Sequence, residues 1–169
     1  DDQVLLRYIY KGNNVLIILN ALTGKKISMI TIKKELQSAA FERLIATSMS
    51  EELGLNVKLK RILEQTREKY LPDLIFGEWY LECKRYASGK EPATAWWQQV
   101  VDASKDKGTP TLIYKFDRQP IKVRIPLHSV NDNLPVNNLI TCDIFFDDFI
   151  YLIKSLYPEH IKEYNRSAA

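Results

Sequence analysis

Residues 72–86 read PDLIFGEWYLECKRY, and no other stretch restricts the possible folds of this chain as much. The runs DLIF and WYLECKRY predict two short strands joined across Gly77, because aliphatic and aromatic residues suit a pleated, half-buried surface and glycine suits the turn between them. Side chains alternate along a strand, so Leu81 and Cys83 point to an apolar side while Glu82 and Lys84 share the opposite face. If the strands pair across the short connection, Asp73 near the start of the first approaches Glu82 near the end of the second. Two acids and a lysine in a mostly apolar hairpin are either the charged edges of ordinary strands or a metal site.

The flanking segments predict a mixed α/β or α+β domain. Three β-rich runs at 4–10, 15–19 and 27–32, separated by KGNN and TGKK, predict an N-terminal antiparallel meander within residues 1–34. Apolar residues then recur at helical spacing at Leu36, Ala40, Phe41, Leu44, Ile45, Met49 and Leu53, with Gly54 placed to end the helix. From Val57 the chain reads as a basic strand and loop. After the hairpin, Pro92 and Gly108 bracket a second helix. TLIYKF and IKVRIPL predict a strand pair around the turn DRQP, with Lys122 and Arg124 on one exposed face. A loop at 129–138, the strand LITCDIFF and a helix broken near Pro158 complete the chain. The expected division is an arm at 1–34, a core at 35–127 and a C-terminal strand and helix at 128–169 packed on that core, all in one globular domain.

With 169 residues, 46% of them apolar, the chain is long enough for one substantial core. A net charge of +3 makes local clustering of cations, and not the total, the indicator of a nucleic-acid partner. Two distant cysteines and two histidines, none at metal-ligand spacing, support neither a disulfide framework nor a zinc site, which makes a reducing cytoplasmic setting the expectation. No apolar run approaches the roughly 20 residues that span a bilayer, and nothing resembles a cleavable signal. The chain opens on Asp1, as a processed or trimmed chain would.

Two carboxylates and a backbone carbonyl are the hard oxygen ligands Mg²⁺ prefers, with water and phosphate oxygens completing its octahedron. A lysine beside such a site can position a water molecule and stabilise a pentavalent phosphorus. Here Pro72-Asp73 followed by Glu82-Cys83-Lys84 resembles the PD-(D/E)xK nuclease superfamily, whose members cleave DNA with Mg²⁺ on a restriction-endonuclease-like core, a mixed central sheet flanked by helices. Phe41-Glu42-Arg43 on the preceding helix is similar to the position where the resolvase branch adds a metal-binding glutamate, with Ala39 and Ala46 leaving room on the same helix face. From about Glu35 to Leu127 the chain looks most like Holliday junction resolvases and small phage endonucleases. A Tyr at 102 or 103 would have signalled a RecB-type exonuclease; Asp102 and Ala103 stand there instead.

The resemblance implies Mg²⁺, for which Mn²⁺ substitutes, held by Glu42, Asp73, Glu82 and the Cys83 carbonyl, with Lys84 serving the nucleophilic water. Lys60, Arg61, Arg67, Lys69, Arg85 and Lys90 flank the motif and form the expected DNA-phosphate cluster. Gln99 is a further candidate contact to phosphate or water, and Trp96 and Trp97 suit either base stacking or the core. The expected partners are branched or duplex DNA and, because a symmetric junction needs two cuts, a second copy of the chain. A sequence-specific restriction or homing-type cutter and a catalytically inert DNA-binding module stand as alternatives. His128 and His160 receive no role.

Overall fold

The computed structural model describes the backbone of residues 3–10, 13–20, 26–28, 30–62 and 71–168, and side chains from residue 38 onward within those ranges. The chain divides into two compact units, Asp1–Ala40 and Phe41–Ala169.

The first unit carries β1 (Gln3–Tyr10), β2 (Asn13–Asn20) and β3 (Lys26–Ser28), a three-stranded antiparallel sheet in the order β1-β2-β3. β1 and β2 pair in continuous register from Gln3 opposite Asn20 to Tyr10 opposite Asn13, and the ladder to β3 shifts register between Ile18 and Leu19. The expected meander is present, but its third strand is shorter than the sequence suggested. Ile30–Ile32, predicted as strand, instead opens α1 (Ile30–Glu52). Short β-branched runs carry only weak local preference, and this one is continuous with the helical period that follows it.

From Phe41 onward, α1 lays one stripe against the second unit. Phe41, Ile45, Ala46, Met49 and Leu53 are all buried, and Glu42, three and four residues before Ile45 and Ala46, is buried with them. Gly54 (φ +64°) ends the helix in the left-handed region, and the Leu55 N–H donates back across it to the Ser50 carbonyl at 2.9 Å.

The sheet of the second unit runs β4-β5-β6-β7-β8, formed by Leu74–Phe76, Trp79–Tyr86, Thr109–Phe116, Lys122–Pro126 and Thr141–Phe145. β5 and β6 are parallel and the other neighbours antiparallel. The parallel pair requires a crossover, which α2 (Thr94–Ser104) supplies. α3 (Phe146–Leu156) follows β8, and Pro158 opens α4 (Pro158–Ser167) at the predicted break. The result is a mixed α+β unit with helices on both faces of a mixed sheet. On one face Leu74, Phe76, Trp79, Leu81, Cys83, Ile113, Val123 and Ile125 pack with residues of α1 and α3. On the other, Leu112, Tyr114 and Phe116 pack against Trp97 and Val100 of α2.

Two further expectations are corrected. Residues 57–62 form no strand; single hydrogen bonds, from the Leu59 N–H to Ser50 Oγ (2.9 Å) and from the Ile62 N–H to the Asp73 carbonyl (2.9 Å), hold them in place of a ladder. Nor is the charged face of β7 free in solvent: Arg124 is half-buried and donates to both carboxylate oxygens of Asp143, from Nε at 2.7 Å and from Nη2 at 3.0 Å. No helix among the described residues is long and apolar enough to cross a membrane.

Candidate active site

β4 and β5 meet with Leu74 opposite Leu81 and Phe76 opposite Trp79, and continuing that register by one residue sets Asp73 opposite Glu82. Both carboxylates are buried, with 5% of each residue exposed. The apolar partners of this hairpin fix the acids: Leu74, Leu81 and Cys83 occupy the core, so the alternation turns Glu82 and Lys84 to the face shared with α2. Asp73 is anchored further by the Cys83 N–H, which donates to its Oδ2 at 2.8 Å. Lys84 Nζ lies 3.3 Å from Glu82 Oε1, and the lysine side chain keeps 22% of its surface exposed.

At Glu82, Lys84 compensates only part of the cost of burial. Burial pushes the Glu82 carboxyl up from 4.5 to about 7; the negative charge of Asp73 adds to the rise, Lys84 offsets part of it, and Glu42 raises it again. The Cys83 thiol, fully buried beside the same acids, is pushed well above its ordinary range and stays protonated. Only the backbone of Cys83 is therefore available to the site.

Glu42 reaches this neighbourhood from α1 and is 8% exposed. Arg61 donates from Nε to Glu42 Oε2 at 2.5 Å. Ile62, the next residue, donates its N–H to the Asp73 carbonyl, so the same short segment touches two of the predicted site acids. This pairing of Arg61 with Glu42 was not legible in the sequence, where Arg61 was one cation of a run.

The other predicted contacts scatter. Lys60, Lys90 and Gln99 are exposed; Arg85 is exposed and lies 3.5 Å from Asp117. Arg67 and Lys69 fall outside the described residues. Trp97 is core, its Nε1 donating to the Asn138 carbonyl at 2.9 Å, while Trp96 stacks on Tyr86 with ring centroids 4.4 Å apart. Sequence reading passed over Tyr114 and Asp143. Tyr114 sits beside Lys84 in the β5/β6 register and donates its hydroxyl to Asp143 Oδ2 at 2.5 Å, and burial together with Asp143 pushes the phenol upward. A tyrosine inside the otherwise apolar run TLIYKF was the available signal, since a buried phenol needs a partner.

Among the described residues, no three His, Cys, Asp or Glu side chains converge into a metal cage. Asp73 and Glu82, set opposite each other by the continued hairpin register, offer hard carboxylate oxygens. Their number matches what Mg²⁺ takes from protein when waters and substrate phosphate fill its remaining positions. In donor chemistry, though not as a closed cage, the residues fit the ion.

No protein family, curated protein or solved structure matches this chain.

Proposed function

We propose that this protein is a Mg²⁺-dependent endonuclease of PD-(D/E)xK type that hydrolyses DNA phosphodiesters, selectively at branched structures. The observation that supports it most is the burial of Asp73 and Glu82, set opposite each other when the β4/β5 register is continued by one residue, with Lys84 3.3 Å from Glu82 on the same strand face. Burying two carboxylates against each other opposes folding, and an ordinary strand edge has no use for the arrangement.

In this reading Asp73, Glu82 and the Cys83 carbonyl hold the metal. When bound, the ion supplies charge neutralisation at the phosphodiester and acidifies a water ligand. Lys84, partly exposed and on the same face, orients the attacking water and meets the charge that gathers on phosphorus. Lys60 and Lys90 contribute phosphate affinity that falls as salt rises. A symmetric junction needs two cuts, so the working unit is a C₂ homodimer acting in the cytoplasm.

The test is a panel of end-labelled four-way junction, linear duplex and single-stranded DNA of random sequence, incubated with Mg²⁺ or Mn²⁺. Metal-dependent cleavage strongest on the junction is the expected result. Asp73→Ala and Lys84→Ala should each abolish it while leaving the circular dichroism spectrum intact. Cleavage confined to one duplex sequence would move the assignment to a restriction-type cutter, and absence of any metal-dependent cleavage would leave a DNA-binding or assembly module.

A further inference from the structure

The geometry points to a role for Glu42 other than metal binding. We propose that Glu42 is a positioning residue that orients Arg61 on the segment hydrogen-bonded to Asp73, and that Arg61 is the cation that grips the scissile phosphate. This inference rests on the nuclease reading above and deepens it.

Three observations carry it. First, Glu42 Oε2 accepts the Arg61 Nε–H at 2.5 Å, with side-chain exposures of 11% and 25%, so the contact is a charge-assisted bond largely removed from water. Second, the use of Nε leaves the two terminal nitrogens of the guanidinium, which make no hydrogen bond among the described residues. These form the end of the fork, whose planar geometry suits two phosphate oxygens. Third, the segment bearing Arg61 is tied down on both sides. Ser50 Oγ, which donates to the Ala46 carbonyl at 2.6 Å, accepts the Leu59 N–H at 2.9 Å, and the Asp73 carbonyl accepts the Ile62 N–H. Arg61 is thus placed by α1 through Glu42, by the end of α1 through Ser50, and by the site itself through Asp73.

Chemistry favours this division of labour. Asp73, Glu82 and the Cys83 carbonyl already supply the one or two carboxylates that Mg²⁺ takes from protein. A second fixed positive charge on the opposite side of the phosphate is worth more to the reaction than a third carboxylate, because negative charge grows on the phosphoryl oxygens as the bond breaks. A carboxylate behind a guanidinium turns a mobile surface arginine into an oriented one, as buried carboxylates do for metal-bound histidines.

The experiment compares the full 169-residue chain with Asp73→Asn, Glu42→Gln, Arg61→Ala, Arg61→Lys and the Glu42→Gln/Arg61→Ala double variant. Mn²⁺ affinity is measured by isothermal titration without DNA, and kcat and KM on whichever DNA of the panel the wild type cleaves. Circular dichroism confirms folding. Expected are Mn²⁺ affinities within about twofold of wild type for every Glu42 and Arg61 variant, against a loss of roughly tenfold or more for Asp73→Asn. kcat should fall roughly 100-fold in Glu42→Gln and in Arg61→Ala alike, and no further in the double variant, because the two act as one unit. Arg61→Lys, which keeps the charge but loses the fork, should recover only part of the rate.

A loss of Mn²⁺ affinity in Glu42→Gln comparable to that of Asp73→Asn overturns the inference and makes Glu42 a ligand, with the nuclease reading intact. Multiplicative effects in the double variant, or unchanged kcat in both single variants, overturn it as well. A wild type that neither binds Mn²⁺ nor cleaves any DNA of the panel removes the nuclease reading and this inference together.

Discussion

Replacing Glu82 by glutamine removes a charge without changing the shape of the side chain, and the burial of Glu82 sets the sign and the order of magnitude of the effect on stability. The folded protein holds the Glu82 proton up to about pH 7, whereas the unfolded chain releases it near 4.5. Between those values the native state binds more protons than the unfolded state, so stability falls as pH rises. The burial cost is absent below about pH 4.5 and fully expressed above about pH 7. A shift of that width corresponds to about 3 kcal/mol, at 1.36 kcal/mol for each unit of pKa. In a chain of this size it amounts to roughly 10 °C in Tm.

Glu82→Gln should therefore match the wild type at pH 4.5 and become progressively more stable than it up to pH 8, while losing metal-dependent cleavage. Urea denaturation at half-unit pH intervals, taken as the difference between variant and wild type, cancels the titration of every other carboxylate. Millimolar Mg²⁺ at pH 8 should raise the Tm of the wild type and leave that of Glu82→Gln nearly unchanged, because only the wild type carries the charge that the ion balances. A difference that does not vary with pH, or a variant less stable than wild type at pH 8, would refute the argument that buried charge at Glu82 opposes folding.

Lys84→Ala removes the cation that, among the described residues, lowers the Glu82 carboxyl, so its stability should fall further below wild type at pH 8 than at pH 5, with cleavage abolished. Ser50→Ala leaves the buried Leu59 N–H without its acceptor and should cost about 1–3 kcal/mol in urea denaturation. Because Ser50 also helps place residues 59–62, kcat should fall with it. Gly89 has φ +143°, and a Cβ there would lie 2.4 Å from the Phe116 ring, so Gly89→Ala should lower stability by at least about 2 kcal/mol by the same assay.

How far the site could be read from sequence depended on the range of each interaction. The opposition of Asp73 and Glu82 follows from a two-residue turn and the period of a strand, both local, and Leu81 and Cys83 set the face by their need for burial. Gly54 and Pro158 ended their helices where their backbone preferences require. What failed depended on contacts between distant segments. Arg61 and Glu42 are 19 residues apart, and nothing in KLKRIL distinguishes the arginine that turns inward from neighbours such as Lys60 that remain exposed. Arg124 looked solvent-facing because strand alternation says which face a residue takes but not what stands on it; Asp143, on the next strand, supplied the partner.

These two surprises share a form that bears on function. On β7, Arg124 gives two hydrogen bonds to Asp143, which also accepts the Tyr114 hydroxyl. On the segment that leads to the hairpin, Arg61 gives Nε to Glu42, its terminal nitrogens make no hydrogen bond among the described residues, and Lys84 offsets only part of the rise at Glu82. A network built for stability closes its bonds, because every unpaired buried donor or charge raises the energy of the folded state. In the proposed nuclease, the raised carboxyl of Glu82 and the guanidinium of Arg61 would be completed by a ligand that carries a cation and an anion together. A divalent metal bound to a phosphodiester has that composition, and under the proposed function Asp73 and Glu82 would take the metal while Lys84 and Arg61 would meet the phosphate.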